Sequence, residues 1–571
     1  MRSDFAEFNV KGQNGLAVDI MPPGDLVLAN LGIDLAAPEF TEMAQWKRAN
    51  YRAVKNWLTK YKPKRDASNL EKVRGYLEAF HHLCQVEDWD RAKDIIFIPL
   101  DTPTNEELHL QLFTWGYYEE QIELYKGVLG KLSSNVEVVF LLNLGNAENV
   151  LGHYLQAIDY NQQSLTIARE IGDRQGEGST LGNLGNVYIS LGNYFQAIDY
   201  HQRHLTIAQE IGDLKGEGSA LSNLATTYQS LGDYPQAIDY SKQSLIIFQK
   251  IGLCDGEGSA LSNLGCAYRS LGQYPQAIYY YRRSLTISRK IGARNGEGIA
   301  LGNMGNAYHA LGNYPLAIDY FQESLTIFRE IGYRYGEVGT LSNLGNAYHV
   351  LGKYSLAIDC YRQSLTIARE ISDLNGEARA EGSLGLAYNS LGDYPLAINC
   401  FKQSLTIFRE IGDCEGQGTA LGNIGNAYLL QGNYLLAINY FKHSLTIAQE
   451  IGVLESKGTV LGFLGVAYSS LGNYSQAINY HRQSLMIAGE IGDRNGEGRT
   501  LINLGVVYYS LGDYRQAINY YQQGLTIIRE MGQRWAQELA LLNLCRAFFA
   551  LGDYNKAIEC NQQHLALIQQ T

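Results

Sequence analysis

The chain has 571 residues, with 46 Lys and Arg against 58 Asp and Glu, for a formal net charge of -12. That balance argues against a general nucleic-acid binder. With no apolar run near the ~18 to 20 residues of a membrane span and no leader pattern at the N-terminus, a cytoplasmic protein is expected.

Residues 1–40 have no clear period, and Pro22, Pro23 and Gly24 interrupt their apolar residues, so a flexible segment with a short docking strand or helix is expected. From Thr41 to Lys60 the spacing of Met43, Trp46, Tyr51, Val54 and Leu58 predicts a helix. Lys47, Arg48, Arg52, Lys55, Lys60, Lys62, Lys64, Arg65, Lys72 and Arg74 stand against Asp66 and Glu71. The stretch reads as a solvated face or a patch docked on the acidic remainder of the chain, with nucleic acid or anionic lipid as the rival partner. Between Asn69 and Leu132 two worn helical hairpins turn at Asp88 and at Gly116. Residues 41–134 are therefore expected to cap an array of hairpins, whose terminal apolar face must be hidden.

The array itself occupies residues 135–571 as eleven units of forty residues. LGNLGNVYISLGNYFQAIDYHQRHLTIAQEIGD, from Leu181 to Asp213, returns nearly unchanged at Leu221, Leu261, Leu301, Leu341, Leu421, Leu461 and Leu501, with Glu381 as the exception. Each unit reads as two helices. The first, from Glu177 to Leu191, carries Leu181, Leu184, Val187 and Tyr188 on one face and stops at Gly192. The second opens near Asn193 with an Asn or Asp cap, or with a first-turn proline at Pro235, Pro275, Pro315 and Pro395, and ends at Gly212. Gly185 and its equivalents lie in mid-helix, where each costs about 0.5–1 kcal/mol relative to alanine. Close approach of the partner helix through Ala157, Ala197 and their equivalents is the expected reason. The last unit is expected to close the array, because Gln562, Gln563, Gln569 and Gln570 make its final helix polar.

L-x-x-L-G-x-x-Y followed by G-x-Y-x-x-A-I resembles the tetratricopeptide repeat. Leu181 replaces the family's opening aromatic, and a Glu-Ile-Gly-Asp tail replaces its terminating proline, adding about six residues or roughly 9 Å of helix. The Gly-Glu-Gly phrase resembles the long-repeat members, Pins-type spindle adaptors and kinesin light chains. The resemblance implies an all-α, right-handed superhelical solenoid whose first helices line a concave groove, and a peptide-binding scaffold without catalytic residues. The worn N-terminal hairpins also resemble sensor arms of bacterial signalling ATPases and proteases, so a sensor partner is a second reading. A self-assembling structural array of near-identical units, a homo-oligomer, is a third.

No catalytic or cofactor motif emerges. Gly176 to Gly182 lacks the spacing and preceding strand of a dinucleotide loop, and Gly127 to Lys131 lacks phosphate-loop spacing. The eight cysteines include no C-x-x-C pair. Cys360 and Cys400 share one phase, but packed helices ~8–10 Å apart are too distant for a disulfide, so reduced, buried thiols are expected. Glu177, Glu217, Glu257, Glu297, Glu337, Glu377 and Glu497 begin first helices, where the helix dipole accounts for them. His309 and His349 read as exposed groove residues and not as a metal site.

Asparagine is a poor helix-interior residue. Yet Asn143, Asn183, Asn223, Asn263, Asn303, Asn343, Asn423, Asn503 and Asn543 share one phase, and Asn146, Asn186, Asn306, Asn346 and Asn426 lie three residues on. Amides can donate and accept, so they suit the backbone of an extended peptide of any sequence. An inter-repeat ladder of amides and simple solvation of the face are the structural alternatives. Leu386, Leu429, Phe463, Val466, Val506 and Tyr509 break the polar pattern and are the expected apolar anchors. Only Arg379 and Arg499 match the arginines with which Pins-type repeats meet acidic peptides, so a strongly acidic ligand is not expected.

Overall fold

The computed structural model describes residues 20–64, 67–532 and 534–569. Residues 1–19 of the N-terminal segment read as flexible lie outside the described residues, as do Arg65 and Asp66, and the remainder of that segment holds the short helix Gly24–Asn30. Among the described residues there are 29 helices, and the β pairing is an isolated bridge between Pro99 and Glu107.

The unit beginning at Asp173 shows why the repeat folds as a hairpin. Asp173 accepts a hydrogen bond from the Gly176 amide at 2.8 Å and caps the first helix, Arg174–Ser190. The helix therefore starts at Arg174 and not at Glu177, because the capping aspartate lies outside the apolar period. Gly192, at φ 73°, ends it in the left-handed conformation. Asn193 caps the second helix, Tyr194–Ile211, by accepting from the Gln196 amide at 3.4 Å, and Gly212 at φ 70° closes it. In one unit the closing residue is Ser372 at φ 54°, a conformation that costs a residue with a Cβ roughly 1–2 kcal/mol.

The mid-helix glycines face rings, not the alanines. Ala197 and its equivalents are fully buried, but a Cβ built on Gly305 would stand 2.5 Å from the Phe321 ring. One on Gly265, Gly345, Gly385 or Gly425 would meet Tyr281, Tyr361, Phe401 or Phe441 at 2.4–2.7 Å. Each glycine thus makes room for a large side chain of the second helix. Where Ala225 replaces the glycine, Ser241 replaces the ring. A second link fastens the same two helices: Ser244, Ser284, Ser324 and Ser364 donate to the carbonyls of Gly218, Gly258, Gly298 and Val338 at 2.8–3.0 Å. A third is a stacked tyrosine pair, such as Tyr188 and Tyr200 at 5.3 Å between centroids. Cys360 and Cys400 take the second tyrosine's place in two units; both are buried and free, and burial pushes their thiols up to about 11 and about 12.

First helices of neighbouring units pack on one another along the ribbon, which puts them on the inner, concave wall and the second helices outside. The ribbon meets itself after five and a half units. Tyr154, Tyr194 and Tyr234, each opening a second helix, reach residues 221 positions further on. Asn375 Nδ2 donates to the Tyr154 hydroxyl at 3.3 Å, the Tyr194 hydroxyl donates to Glu415, and that of Tyr234 donates to Glu455 at 3.5 Å. Gly152 lies against Leu374 and Ile411, and Gly116 against Ile371 and Arg334. Two superhelical turns are therefore stacked edge on edge.

At the N-terminus the helix expected from Thr41 runs Gln45–Lys60, because Thr41 ends a separate short helix, Pro38–Thr41. The two worn hairpins are present, as Asn69–Gln85 with Trp89–Ile96 and Leu108–Thr114 with Tyr118–Val128. Their core includes Leu325, Val338, Leu341 and Ile371 of the second turn, so they pack on its edge as well as on the first unit. At the other end Gln562 and Gln563 are exposed on the last helix. The helices Arg534–Leu551 and Tyr554–Gln569 also leave Trp535, Phe549, Tyr554, Ile558 and Leu565 exposed, so the glutamines share this end with an apolar surface.

Candidate functional site

The exposed stripe of each first helix faces the concave side. In the helix Arg294–Ala310 it consists of Ile299, Asn303, Asn306 and Ala310, spaced four, three and four residues apart on one helical face. The expected asparagines sit on this stripe: Asn143, Asn146, Asn183, Asn186, Asn223, Asn263, Asn303, Asn306, Asn343, Asn423, Asn426 and Asn503 are half-buried, and Asn346 is exposed. Three of them have partners in the chain. Asn143 bonds with the Tyr125 hydroxyl, Asn263 Nδ2 donates to the Ser222 carbonyl of the preceding first helix at 3.4 Å, and Asn346 Oδ1 accepts from Tyr361 at 2.7 Å. Among the described residues the amides of Asn303, Asn306 and Asn343 have no hydrogen-bond partner. Among the described residues the bonds at Asn143 and Asn263 join neighbouring hairpins and the other units show no such rung, so the amides are not spent on a continuous inter-repeat ladder.

The electrostatics of this wall differ from those of the whole chain. At the stripe positions equivalent to Ile299, Asn303, Asn306 and Ala310, no unit carries an Asp or Glu, and the charges present are Arg379, Arg499 and Arg546. A chain of net charge -12 thus turns a neutral to weakly cationic surface inward. The expected apolar anchors are only partly gathered. Phe463 and Val466 line one cleft of about 90 Å³ with Ile487, Arg499 and Asn503, roughly the space of three waters. Phe463 stacks on Phe441 at 5.4 Å, which holds its ring in place. Glu455 and Asp493 also line the cleft, the latter accepting from the Gly496 amide. Leu386 and Val506 are exposed on the stripes of other units, and Tyr509 leans on Tyr514 at 5.4 Å.

The glutamates at the starts of first helices have a stronger cause than the helix dipole. Glu177 receives Arg169 Nε at 2.7 Å and Arg174 Nη1 at 2.5 Å, while Arg174 also reaches Glu210 of the second helix. The same network joins Arg289, Arg294, Glu297 and Glu330, and again Arg329, Arg334, Glu337 and Glu370. Burial alone raises the Glu177 and Glu297 carboxyls, but the two guanidiniums more than offset it and hold both below the usual carboxylate range. These carboxylates tie units together; among the described residues no group of three His, Cys, Asp or Glu gathers as a metal site. His309 and His349 are half-buried instead of exposed, because each leans on the next first helix; His349 Nε2 lies 2.8 Å from Ser390 Oγ. In the basic segment Arg52, Lys55, Lys60, Lys62, Lys64 and Arg74 are exposed, and Arg74 pairs with Glu78 at 3.6 Å. None of these six pairs with the array among the described residues, so the segment is not docked on it electrostatically.

Five tandem matches to a tetratricopeptide repeat model cover residues 137–210, 216–290, 296–370, 376–450 and 456–530, well over half of the chain. The chain belongs to the tetratricopeptide repeat family. Residues 505–571 also match the model of anaphase-promoting complex subunit 5, and no curated protein matches the sequence. Among solved structures, a Rap protein complexed with competence and sporulation factor is 17 % identical, covering 67 % of this chain and 99 % of that one with a TM-score of 0.44. BtubC (BKLC) from P. vanneervenii is 19 % identical over 37 % of this chain and 90 % of its own, with a TM-score of 0.35. The quorum sensor NprR from B. thuringiensis is 14 % identical over 59 % and 97 %, with a TM-score of 0.42. At these values the likeness is one of helical-repeat build. Tetratricopeptide repeats make the chain a protein-interaction scaffold by class, and no described helix is long and apolar enough to cross a membrane.

Proposed function

We propose that the concave wall of this tetratricopeptide repeat protein holds an extended segment of another protein, with amides gripping its backbone and the Phe463 cleft anchoring one apolar side chain. The observation that supports this reading is the carboxylate-free stripe, on which half-buried amides recur in most units and those of Asn303, Asn306 and Asn343 have no hydrogen-bond partner among the described residues. An unpaired amide on a surface without carboxylates and with few arginines suits a neutral main chain better than a strongly charged one. Net hydrogen bonds of about 1 kcal/mol each must offset roughly 2–5 kcal/mol for ordering a flexible ligand, so amides alone yield weak binding and the cleft supplies the anchor. Residues 41–134 serve in this reading as a cap, and residues 135–571 as the binding array.

The test is selection of peptides from a displayed library on the wild-type protein, followed by affinity measurement on variants. Changing Asn303, Asn306, Asn343 and Asn346 together to alanine should weaken a selected peptide at least about tenfold, which is 1.4 kcal/mol, with helical content unchanged. Phe463→Ala should do the same. Equal affinity in both variants would refute the assignment.

A further inference from the structure

The seam between the two turns contains surfaces that the molecule also displays without a partner. Leu151, at the lower edge of the first turn, is 2 % exposed because the second turn lies beneath it. Further along the same lower edge, past the last polar contact of the seam, Leu271 and Leu311 are 39 % and 46 % exposed, and the equivalents Leu391, Leu471, Leu511 and Leu551 on the lower edge of the second turn are 42–54 % exposed. The upper edge shows the same split. Ile331 and Ile371, covered by the N-terminal hairpin around Trp115 and Gly116, and Ile411, covered by the first turn at Gly152, are 3–6 % exposed, whereas Ile171, Ile211, Ile251 and Ile291 on the upper edge of the first turn are 36–42 % exposed. The residue types are the same and their positions in the repeat are the same, and burial is deepest where the opposing chain is in direct contact, from Leu151 to the Tyr234 contact. The two uncovered edges lie at opposite ends of the stack, so they cannot meet each other within one chain.

We infer that a second copy of this chain stacks head to tail on the first, its first-turn upper edge against the other's second-turn lower edge, repeating the internal seam between molecules. The seam itself is the evidence for the fit, since it shows these two edges packed together with leucine and isoleucine buried. Its polar contacts are reproducible too. In the seam, tyrosines that open second helices meet Asn375, Glu415 and Glu455. The uncovered upper edge has Gln175, Lys215, Asp255 and Asn295 at that phase, and each can hydrogen-bond a phenol. The uncovered lower edge offers Tyr474, Tyr514 and Tyr554. Because the two surfaces differ, the contact is heterologous and does not close, so assembly continues with each added copy. The concave wall plays no part in this contact, and the inference stands independently of peptide binding.

Sedimentation or light scattering of the full chain over two decades of concentration tests it. The wild-type mass should rise with concentration. Leu471→Glu with Leu511→Glu on the lower edge, and Ile211→Glu with Ile251→Glu on the upper edge, should each hold the protein at monomer mass with unchanged circular dichroism. Mixing the two variants should then give a dimer and nothing larger, since one retains an upper edge and the other a lower edge. A wild type that stays monomeric throughout, association that survives both pairs of substitutions, or a mixture that fails to pair would overturn the inference.

Discussion

At the scale of the residue, the most informative positions are those where one unit departs from the others. His201 stands where Phe321, Phe401 and Phe441 stand elsewhere, packed on Gly185, fully buried and with neither ring nitrogen hydrogen-bonded. Burial and the neighbouring His204 hold its pKa down at about 3, so it is neutral when folded. A base whose folded pKa is depressed binds fewer protons folded than unfolded, so its unit loses stability as pH falls below about 6.5, by about 1.4 kcal/mol per pH unit, until about 3. His201→Phe should stabilise the array at neutral pH and remove this part of its acid sensitivity. Denaturation midpoints of both proteins between pH 7 and pH 4 should diverge as the pH is lowered; parallel curves would show that the ring finds water or a partner.

At the scale of the element, the hairpin is held by complementary sizes. Gly305→Ala gains helix propensity of about 0.5–1 kcal/mol but drives a Cβ to 2.5 Å from the Phe321 ring, and overpacking of this kind costs about 1–3 kcal/mol. The substitution should therefore destabilise, seen as faster hydrogen exchange in that unit, whereas Gly305→Ala combined with Phe321→Ser, the pairing found at Ala225 and Ser241, should relieve the clash. The glycine period and the glycine stops of both helices were legible in the residues, since turn chemistry acts over a few positions, whereas the first helix begins three residues before the expected Glu177. The glycine's true neighbour is written in the exchange of Ala225 with Ser241 sixteen residues on, a signal carried by one unit, whereas the alanine recurs in every unit. The arginine pairs of the glutamates were missed for a related reason: the partners belong to three different helices, and a dipole at the helix start was a sufficient local explanation.

At the scale of the whole molecule, the coil is closed by a seam that uses few residues per unit. Ile371→Glu with Ile411→Glu should part the turns while leaving each hairpin intact, because the contacts between neighbouring units lie elsewhere. Small-angle scattering should show a larger radius of gyration at unchanged helical content, and the same substitutions at Ile211 and Ile251 should leave the dilute monomer's dimensions as they were. Of the candidate site, the asparagine stripe and the place of Phe463 followed from helical periodicity alone. That Phe463, Val466, Arg499 and Asn503 share one cleft while Leu386 and Tyr509 stand apart from it did not, since it depends on how two neighbouring first helices splay.

The amino-acid order alone determined the unit, its caps, its two helices and the face each turns inward, because each of these is settled by residues within one forty-residue period. The tertiary structure decided which of many identical leucines and isoleucines are covered. Their local letters are the same at every turn, and the difference arises from a neighbour 221 residues away, whose position is the sum of small rotations between successive hairpins.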